Sequence, residues 1–345
     1  MQLKRSLIRL PALASLPLTG ATIKPESVGL SEDRLSRIHD TMQRHINSHD
    51  ISGAVTLVAR KGQIAWFHAQ CLMDVEARKP MQQDASFRIF SMSKPVCGVA
   101  ILMLLEEGKV RLNVPVSKFI PEFKGSNVAV VQDRPANAPA SGPPKYYSIP
   151  AAREITIQDL LTHVSGLASG GQASSYELPG LIDMIGGQTL AGMMGKFAAA
   201  PLDFQPESRW TYSPLAGFDT LGRVVEAASG MSFDQFLRER IFAPLGMKST
   251  AFHPGDDRWP SVVTAYHRAD GALAKTQGPN RLQSKTYFSG AGGLVSTPEE
   301  YAQFALMLSA GGQWNGKRLL SPKTVELMSS VFVPDTLPGR APGRG

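Results

Sequence analysis

Residues 87–95 read Phe-Arg-Ile-Phe-Ser-Met-Ser-Lys-Pro and run straight into Val96-Cys-Gly-Val-Ala-Ile-Leu-Met-Leu-Leu105. The second part is helical in pattern. Pro95 is tolerated in a first turn, where amides have no intrahelical partner, and Gly108 supplies an expected stop. Val96, Val99, Ile101, Met103 and Leu104 go nearly all round the helix, so it is expected to be buried. At its head, Ser91 and Lys94 are three residues apart and lie on one helical face. A serine hydroxyl is a poor nucleophile until a neighbour accepts its proton, and a desolvated lysine amine can be that neighbour. Backbone amides at the helix start can stabilise a developing oxyanion. By itself the S-x-x-K spacing is weak, because about one chance match is expected in a chain this long. Ser93 competes as nucleophile, but one residue from Lys94 it would face elsewhere.

Working outward from this helix, Ser31 caps a helix with Glu32 and Asp33 in its first turn. Leu35, Ile38, Met42 and Ile46 follow on one face. Ala54–Ala59 and Ile64–Phe67 read as two strands joined by a Lys61-Gly62 turn. Downstream, the Pro-, Ala-, Gly- and Ser-rich stretch from Asn127 to Pro150 reads as a long loop. Helical patterns follow at Ile157–His163, Leu181–Ala200, Ala216–Ser229, Phe233–Phe242, Thr297–Ser309 and Pro322–Met328. No internal repeat of fixed period occurs. The pattern describes a mixed domain interrupted by a helical one.

The bulk composition narrows the function classes. The chain has 345 residues, 43% of them hydrophobic and 19% charged, which is ordinary for a globular protein able to bury sizeable cores. Its net charge of +7 comes from Lys and Arg scattered among acids, without the basic stripe or reader motif of a nucleic-acid binder. A solvated basic surface accounts for it. Cys71 and Cys97 make neither a metal-ligand spacing nor a disulfide framework, and Cys97 reads as a small core residue. His39, His45 and His49 sit on what reads as a surface helix. Lys4, Arg5 and Arg9 precede the short apolar run Leu10–Leu18, a loose likeness to a secretory signal that leaves cytoplasmic and exported locations equally open. No apolar run approaches the length that spans a bilayer.

Several segments, in order, resemble the penicillin-recognising serine hydrolases, a superfamily that includes class C β-lactamases, D-alanyl-D-alanine peptidases and the family VIII carboxylesterases. Phe87–Pro95 with its apolar helix is similar to their first motif. Leu160-Leu-Thr-His-Val-Ser-Gly-Leu167 resembles their LLTHTSGL segment, and Trp210-Thr-Tyr-Ser-Pro-Leu-Ala-Gly-Phe-Asp-Thr-Leu-Gly222 their Y-x-N region. Phe236-Leu, Ile241-Phe-Ala-Pro-Leu-Gly-Met247 and Gly290-Ala-Gly-Gly-Leu-Val-Ser-Thr297 match further blocks. Carried over by position, the resemblance implies Ser91 as nucleophile, Lys94 as its partner and Tyr212 as second proton carrier. Which of Lys94 and Tyr212 is the base stays open, because the two would titrate as a coupled pair. Outside this resemblance Tyr212 reads as a core aromatic with a satisfied hydroxyl. His163 invites a Ser-His-acid triad, but the resemblance makes it a holder of the turn before Ser165-Gly166. No G-x-S-x-G elbow occurs.

Two departures shape the expected function. Where the family's second motif often ends in Asn, this chain has Pro214, which offers no donor; losing an amide-binding hydrogen bond favours esters over amides. A third motif, K-T-G or a W-G-G or H-x-G variant on a strand beyond the G-G-L-x-S-T block, is not found before Gly345. Lys285-Thr286-Tyr287 and Lys323-Thr324-Val325 lack its Gly and precede its place. The expectation is therefore a fragment or truncated member, with its Ala54–Phe67 hairpin short of neighbours and its oxyanion hole half built.

The expected fold is α+β, of the β-lactamase/transpeptidase-like type: an antiparallel sheet with flanking helices plus an inserted, mostly helical domain. Residues 1–25 form a leader or disordered start, 26–88 and 281–345 an α/β domain incomplete at its C-terminus, and 89–280 the helical domain. The expected activity is cleavage of short-chain carboxylic esters through an acyl-enzyme on Ser91, with a small-molecule ester or β-lactam as partner and no cofactor or metal implied. A β-lactamase, D-amino-acid peptidase or acyltransferase of the same superfamily is the first alternative. A catalytically silent ligand-binding homologue is the second. Oligomeric state is left open.

Overall fold

The computed structural model describes residues 22–132, 144–269, 271–276 and 284–340. The leader expected over 1–25 lies almost wholly outside them, as does the centre of the Pro-rich stretch at 133–143.

Helix α1 (Glu32–Asn47) starts where Ser31 accepts a hydrogen bond from the Arg34 amide, and carries Glu32 and Asp33 in its first turn. It packs on an antiparallel sheet of β1 (Gly53–Arg60), β2 (Gln63–Asp74) and the short β3 (Lys79–Pro80), in the order β1-β2-β3. β2 runs well past Phe67, its expected end. Strand β4 (Phe87–Arg88) then leads into α2 (Ser93–Glu106). All residues of α2 from Ser93 to Leu104 except Pro95 are buried, as its all-round apolar pattern requires.

The stretch expected as one long loop instead contains a hairpin, β5 (Asn127–Val131) against β6 (Tyr146–Pro150). Val-Ala-Val-Val is a good strand run, and the Pro- and Gly-rich composition around it belongs to the segment between the strands. Helices α3 (Ile157–Leu161), α4 (Gln172–Glu177), α5 (Leu181–Met184) and α6 (Leu190–Ala199) follow. The single helix expected over Leu181–Ala200 is thus two, broken at Gly187, whose φ is +72°. Helix α7 (Ala216–Ser229) crosses α2, and α8 (Phe233–Leu237) continues through a π-turn into α9 (Ala243–Leu245). A second hairpin, β7 (Tyr266–Ala269) with β8 (Ala272–Lys275), also interrupts the mostly helical 89–280 stretch. Strand β9 (Val295–Ser296), α10 (Pro298–Ser309), the tight pair β10 (Gln313–Trp314) and β11 (Lys317–Arg318), and α11 (Pro322–Met328) complete the described chain.

One large core runs through α2, α3, α6, α7 and α8 and extends to Phe304, Met307 and Leu320. The sheet has a small one of its own, Met73, Met81 and Ala85. The β1–β2 hairpin is not bare: β3 extends it, and α1 and α10 pack on it. The outer edge of β1 has no strand partner among the described residues. No helix among them is long and apolar enough to cross a membrane.

Candidate active site

Ser91 is held out of the chain by a local distortion. Phe90 adopts φ +44°, a left-handed conformation costly for a side chain with a Cβ, and Phe90–Met92 form a 3₁₀ turn leading into α2. Ser91 therefore stands exposed two residues ahead of the helix rather than within it. The pairing of β4 with β9 fixes this turn, Phe87 opposite Ser296 and Arg88 opposite Val295. The Ile89 amide adds a bond to the Leu294 carbonyl at 3.0 Å. Ser93 points the other way, buried, and accepts a bond from the Leu294 amide at 3.2 Å. It clamps the turn and does not compete as nucleophile.

Lys94 is only 6% exposed. Its Nζ donates to Ser91 Oγ at 3.1 Å, to the Pro214 carbonyl at 2.9 Å and to the Ala291 carbonyl at 2.8 Å, which occupies all three ammonium protons. Tyr212, from a separate segment, donates its hydroxyl to Ser91 Oγ at 2.7 Å. Its ring centroid lies 4.9 Å from Lys94 Nζ. The three residues expected from the sequence thus meet at one oxygen. Pro214 has no amide proton to offer a substrate, yet its carbonyl serves the site by holding the lysine.

His163 takes no part in a triad. It sits at φ +60° just after α3, and its carbonyl accepts the Thr211 amide at 3.1 Å. Its Nδ1 accepts the Ser213 amide at 3.1 Å. These two bonds bracket Tyr212, whose ring lies 4.7 Å from the imidazole. Burial first, and the Lys94 charge second, depress its pKa to about 4. At neutral pH it is an uncharged acceptor that holds the tyrosine segment as well as its own turn.

Asp219 escaped the sequence reading. It is fully buried in the first turn of α7 and accepts bonds from Tyr287 hydroxyl at 2.6 Å, Ser289 hydroxyl at 2.7 Å and the Ala291 amide at 3.1 Å. The carbonyl of that same Ala291 holds Lys94. Asp219 thereby ties the 287–291 loop to α7 and fixes one of the lysine's three acceptors. Burial raises its pKa to about 6, against the lowering effect of the three bonds and of Lys94. The available signal was an acid amid the apolar positions of an otherwise buried helix face. Cys97, buried beside this loop, lies 3.6 Å from the Phe218 carbonyl, and burial pushes its thiol well up, as suits an inert core residue.

The two K-T segments set aside earlier lie elsewhere. Lys285 pairs with Asp256 on the surface, and Lys323 pairs with Glu326 within α11. No cluster of three potential metal ligands occurs among the described residues.

A serine on which a buried lysine and a tyrosine converge, in a mixed α+β fold with a helical insertion, is the arrangement of a serine hydrolase of the penicillin-recognising superfamily. Comparison with known proteins agrees: the beta-lactamase family model matches residues 38–343, and the chain belongs to that family. Esterase EstB of Burkholderia gladioli is 34% identical over 241 residues, covering 68% of this chain and 56% of that protein. The lovastatin esterase of Penicillium rubens is 28% identical over 310 residues, covering 84% of this chain and 71% of that protein. Among solved structures, EstCE1, a hydrolase with promiscuous acyltransferase activity, superposes with a TM-score of 0.69 at 26% identity, over 85% of this chain and 76% of that one.

Proposed function

We propose that the protein hydrolyses short-chain carboxylic esters through an acyl-enzyme on Ser91. The observation that carries this reading is that Ser91 Oγ accepts hydrogen bonds from both Lys94 Nζ and Tyr212 OH, which reach it from different elements. The step starts from the form of the Lys94–Tyr212 pair that has given up one proton, Lys94 as amine or Tyr212 as phenolate. As Oγ bonds to the ester carbonyl carbon, its proton passes to that group. The tetrahedral oxyanion finds the Ser91 backbone N–H in the turn that leads into α2. The carbon–oxygen bond to the alcohol then breaks, and the pair returns the proton to the departing oxygen. In the second half a water molecule, deprotonated by the same pair, attacks the acyl carbon. The bond to Oγ breaks, Oγ regains a proton and the acid leaves.

Esters are favoured over amides by Pro214, which removes a side-chain donor for a substrate amide and turns its carbonyl to Lys94. The names of the esterase relatives support the same class. Hydrolysis of p-nitrophenyl butyrate beside nitrocefin, by the wild-type chain and by Ser91→Ala, tests the reading. Ester turnover lost in the variant, with little nitrocefin cleavage, is the expected result. Strong nitrocefin turnover with weak ester cleavage would overturn the substrate class. Adding an acceptor alcohol separates transfer from hydrolysis, since an acyltransferase would give a new ester in place of the free acid.

A further inference from the structure

We infer that an apolar cavity running from Lys94 along α2 is the subsite for the acyl chain of the ester, and that this chain is unbranched and aliphatic. The inference rests on the ester-hydrolase reading and specifies its substrate. The cavity encloses about 250 Å³ and lies between Pro95, Gly98 and Leu102 of α2, Leu161 of α3, Met328 of α11 and Phe332. Lys94, His163 and Phe218 also line it.

Lys94 ties the cavity to the nucleophile, since it lines the cavity and its Nζ lies 3.1 Å from Ser91 Oγ. Ser91 itself lies in the turn before α2; within the helix Pro95, Gly98 and Leu102, three and four residues apart, follow one stripe of the surface. From Pro95 to Leu102 this stripe is about 10 Å long at ~1.5 Å per residue. An acyl group bonded to Ser91 Oγ starts beside Lys94, at the edge of a groove whose floor, at Gly98, carries no side chain.

The lining chemistry selects the occupant. Lys94 has all three protons bound to Ser91, Pro214 and Ala291. Thr162 donates to the Gln158 carbonyl at 2.8 Å, and His163 Nδ1 is taken by the Ser213 amide. Apart from the Gln158 side chain and His163 Nε2, these polar groups are engaged within the protein, and most of the surface left to meet a ligand is hydrocarbon. The volume falls below the roughly 300–1,000 Å³ of sites for drug-sized molecules, which fits a single chain and not a fused ring system. Burial of each methylene should raise kcat/KM about fourfold until the space is filled.

Gly98 makes the test direct. A Cβ there would lie 3.9 Å from Met328 Cε and 4.0 Å from Leu161 Cδ2, ordinary contacts, so a side chain at 98 enters the cavity without displacing backbone. The experiment measures kcat/KM of the full chain for p-nitrophenyl acetate, butyrate, hexanoate and octanoate, with Gly98→Leu and Met328→Ala beside it and folding checked by thermal melting. Gly98→Leu is expected to lower the hexanoate-to-acetate ratio at least about tenfold, the loss of two methylenes, and Met328→Ala to move the optimum to a longer chain. Should Gly98→Leu fail to fold, Met328→Ala and Leu102→Ala read the same property in the opening direction. An unchanged chain-length profile in folded variants that still hydrolyse esters would overturn the subsite and leave the hydrolase reading standing. Acetate esters of longer alcohols whose rates respond to Gly98→Leu would assign the cavity to the alcohol and overturn the acyl assignment. No ester turnover by the wild-type chain would overturn both.

Discussion

The two parts of this molecule are packed very differently. Around α2 and α7 a continuous core holds fully buried Val99, Ile101, Leu104, Leu221 and Phe233. In the β1–β3 sheet β2 buries Ile64–Phe67 and Met73, but no residue of β1 is fully buried, and among the described residues its outer edge lacks a strand. Every group that touches Ser91 Oγ or Lys94 Nζ belongs to the first part or to the 291–294 loop that clamps it. The contrast teaches where rigidity was needed. A lysine shared among three acceptors, two of them carbonyls from distant segments, keeps its place only if those segments cannot drift, and close packing supplies that. The turn itself is held by the short β4–β9 pairing, a two-stranded sheet separate from β1–β3, so the β1–β3 sheet can be less tightly packed.

The largest effect expected from this contrast concerns the centre of the packed part. Lys94→Ala should lower kcat on p-nitrophenyl butyrate by roughly 10²–10⁴-fold, the range for losing an acid–base group, while leaving the melting temperature within a few degrees. A small loss of rate would mean that the packed site does not depend on its lysine. Core and sheet can then be compared by truncation. Leu104→Ala in α2 should cost about 2–5 kcal/mol in urea denaturation, and Val55→Ala in β1 about 1 kcal/mol or less. Equal costs would erase the distinction drawn above.

Asp219 probes how the packing reaches the lysine. Asp219→Ala leaves the Tyr287 and Ser289 hydroxyls and the Ala291 amide without their acceptor. A resulting shift of the Ala291 carbonyl by about 1 Å should lower kcat on the order of 10²-fold, with KM little changed. Asp219→Asn should recover part of that. Full activity of the alanine variant would show that the loop is held by something else.

The smallest expected effect is a pH dependence of stability. The folded pKa of His163 is depressed to about 4 from an ordinary 6.5. Its stabilising contribution is complete above pH 6.5 and is lost as pH falls toward 4. For Asp219 the folded pKa is raised to about 6 from 3.8, so its contribution is complete below pH 3.8 and is lost as pH rises toward 6. Between about pH 4 and 6 the two oppose each other. Melting curves across that window should be flatter for the wild type than for either variant. Asp219→Asn should become more acid-sensitive and His163→Asn less so; parallel curves for all three would contradict the assigned burial.

What could be read from the sequence was what is local. Ser31, Thr297 and Ser321 each accept a bond from the amide three residues on, and α7 and α11 begin and end where their patterns placed them. Ser91, Lys94 and Tyr212 were legible because residue type and spacing carry their chemistry. The β5–β6 hairpin was hidden because Pro and Gly between its strands dominated the composition, and the break between α5 and α6 because Leu181–Ala200 keeps its apolar rhythm across Gly187. Phe90's positive φ leaves no mark on its own residue type. The remaining parts of the site are pairings across many residues: the Pro214 and Ala291 carbonyls on Lys94, His163 on the Tyr212 segment, and Asp219 on the 287–291 loop. Each depends on which elements become neighbours, and backbone carbonyls have no side-chain signature.

The central claim, that Ser91 is an activated nucleophile in a site assembled by the packed part of the chain, is tested most directly by fluorophosphonate labelling. The 345-residue chain would be labelled beside Ser91→Ala and the modified peptide mapped by mass. A label on the Ser91 peptide, absent from the variant, is the predicted result. A folded chain that takes no label, or takes it at another serine, would contradict the account and favour a catalytically silent, ligand-binding homologue.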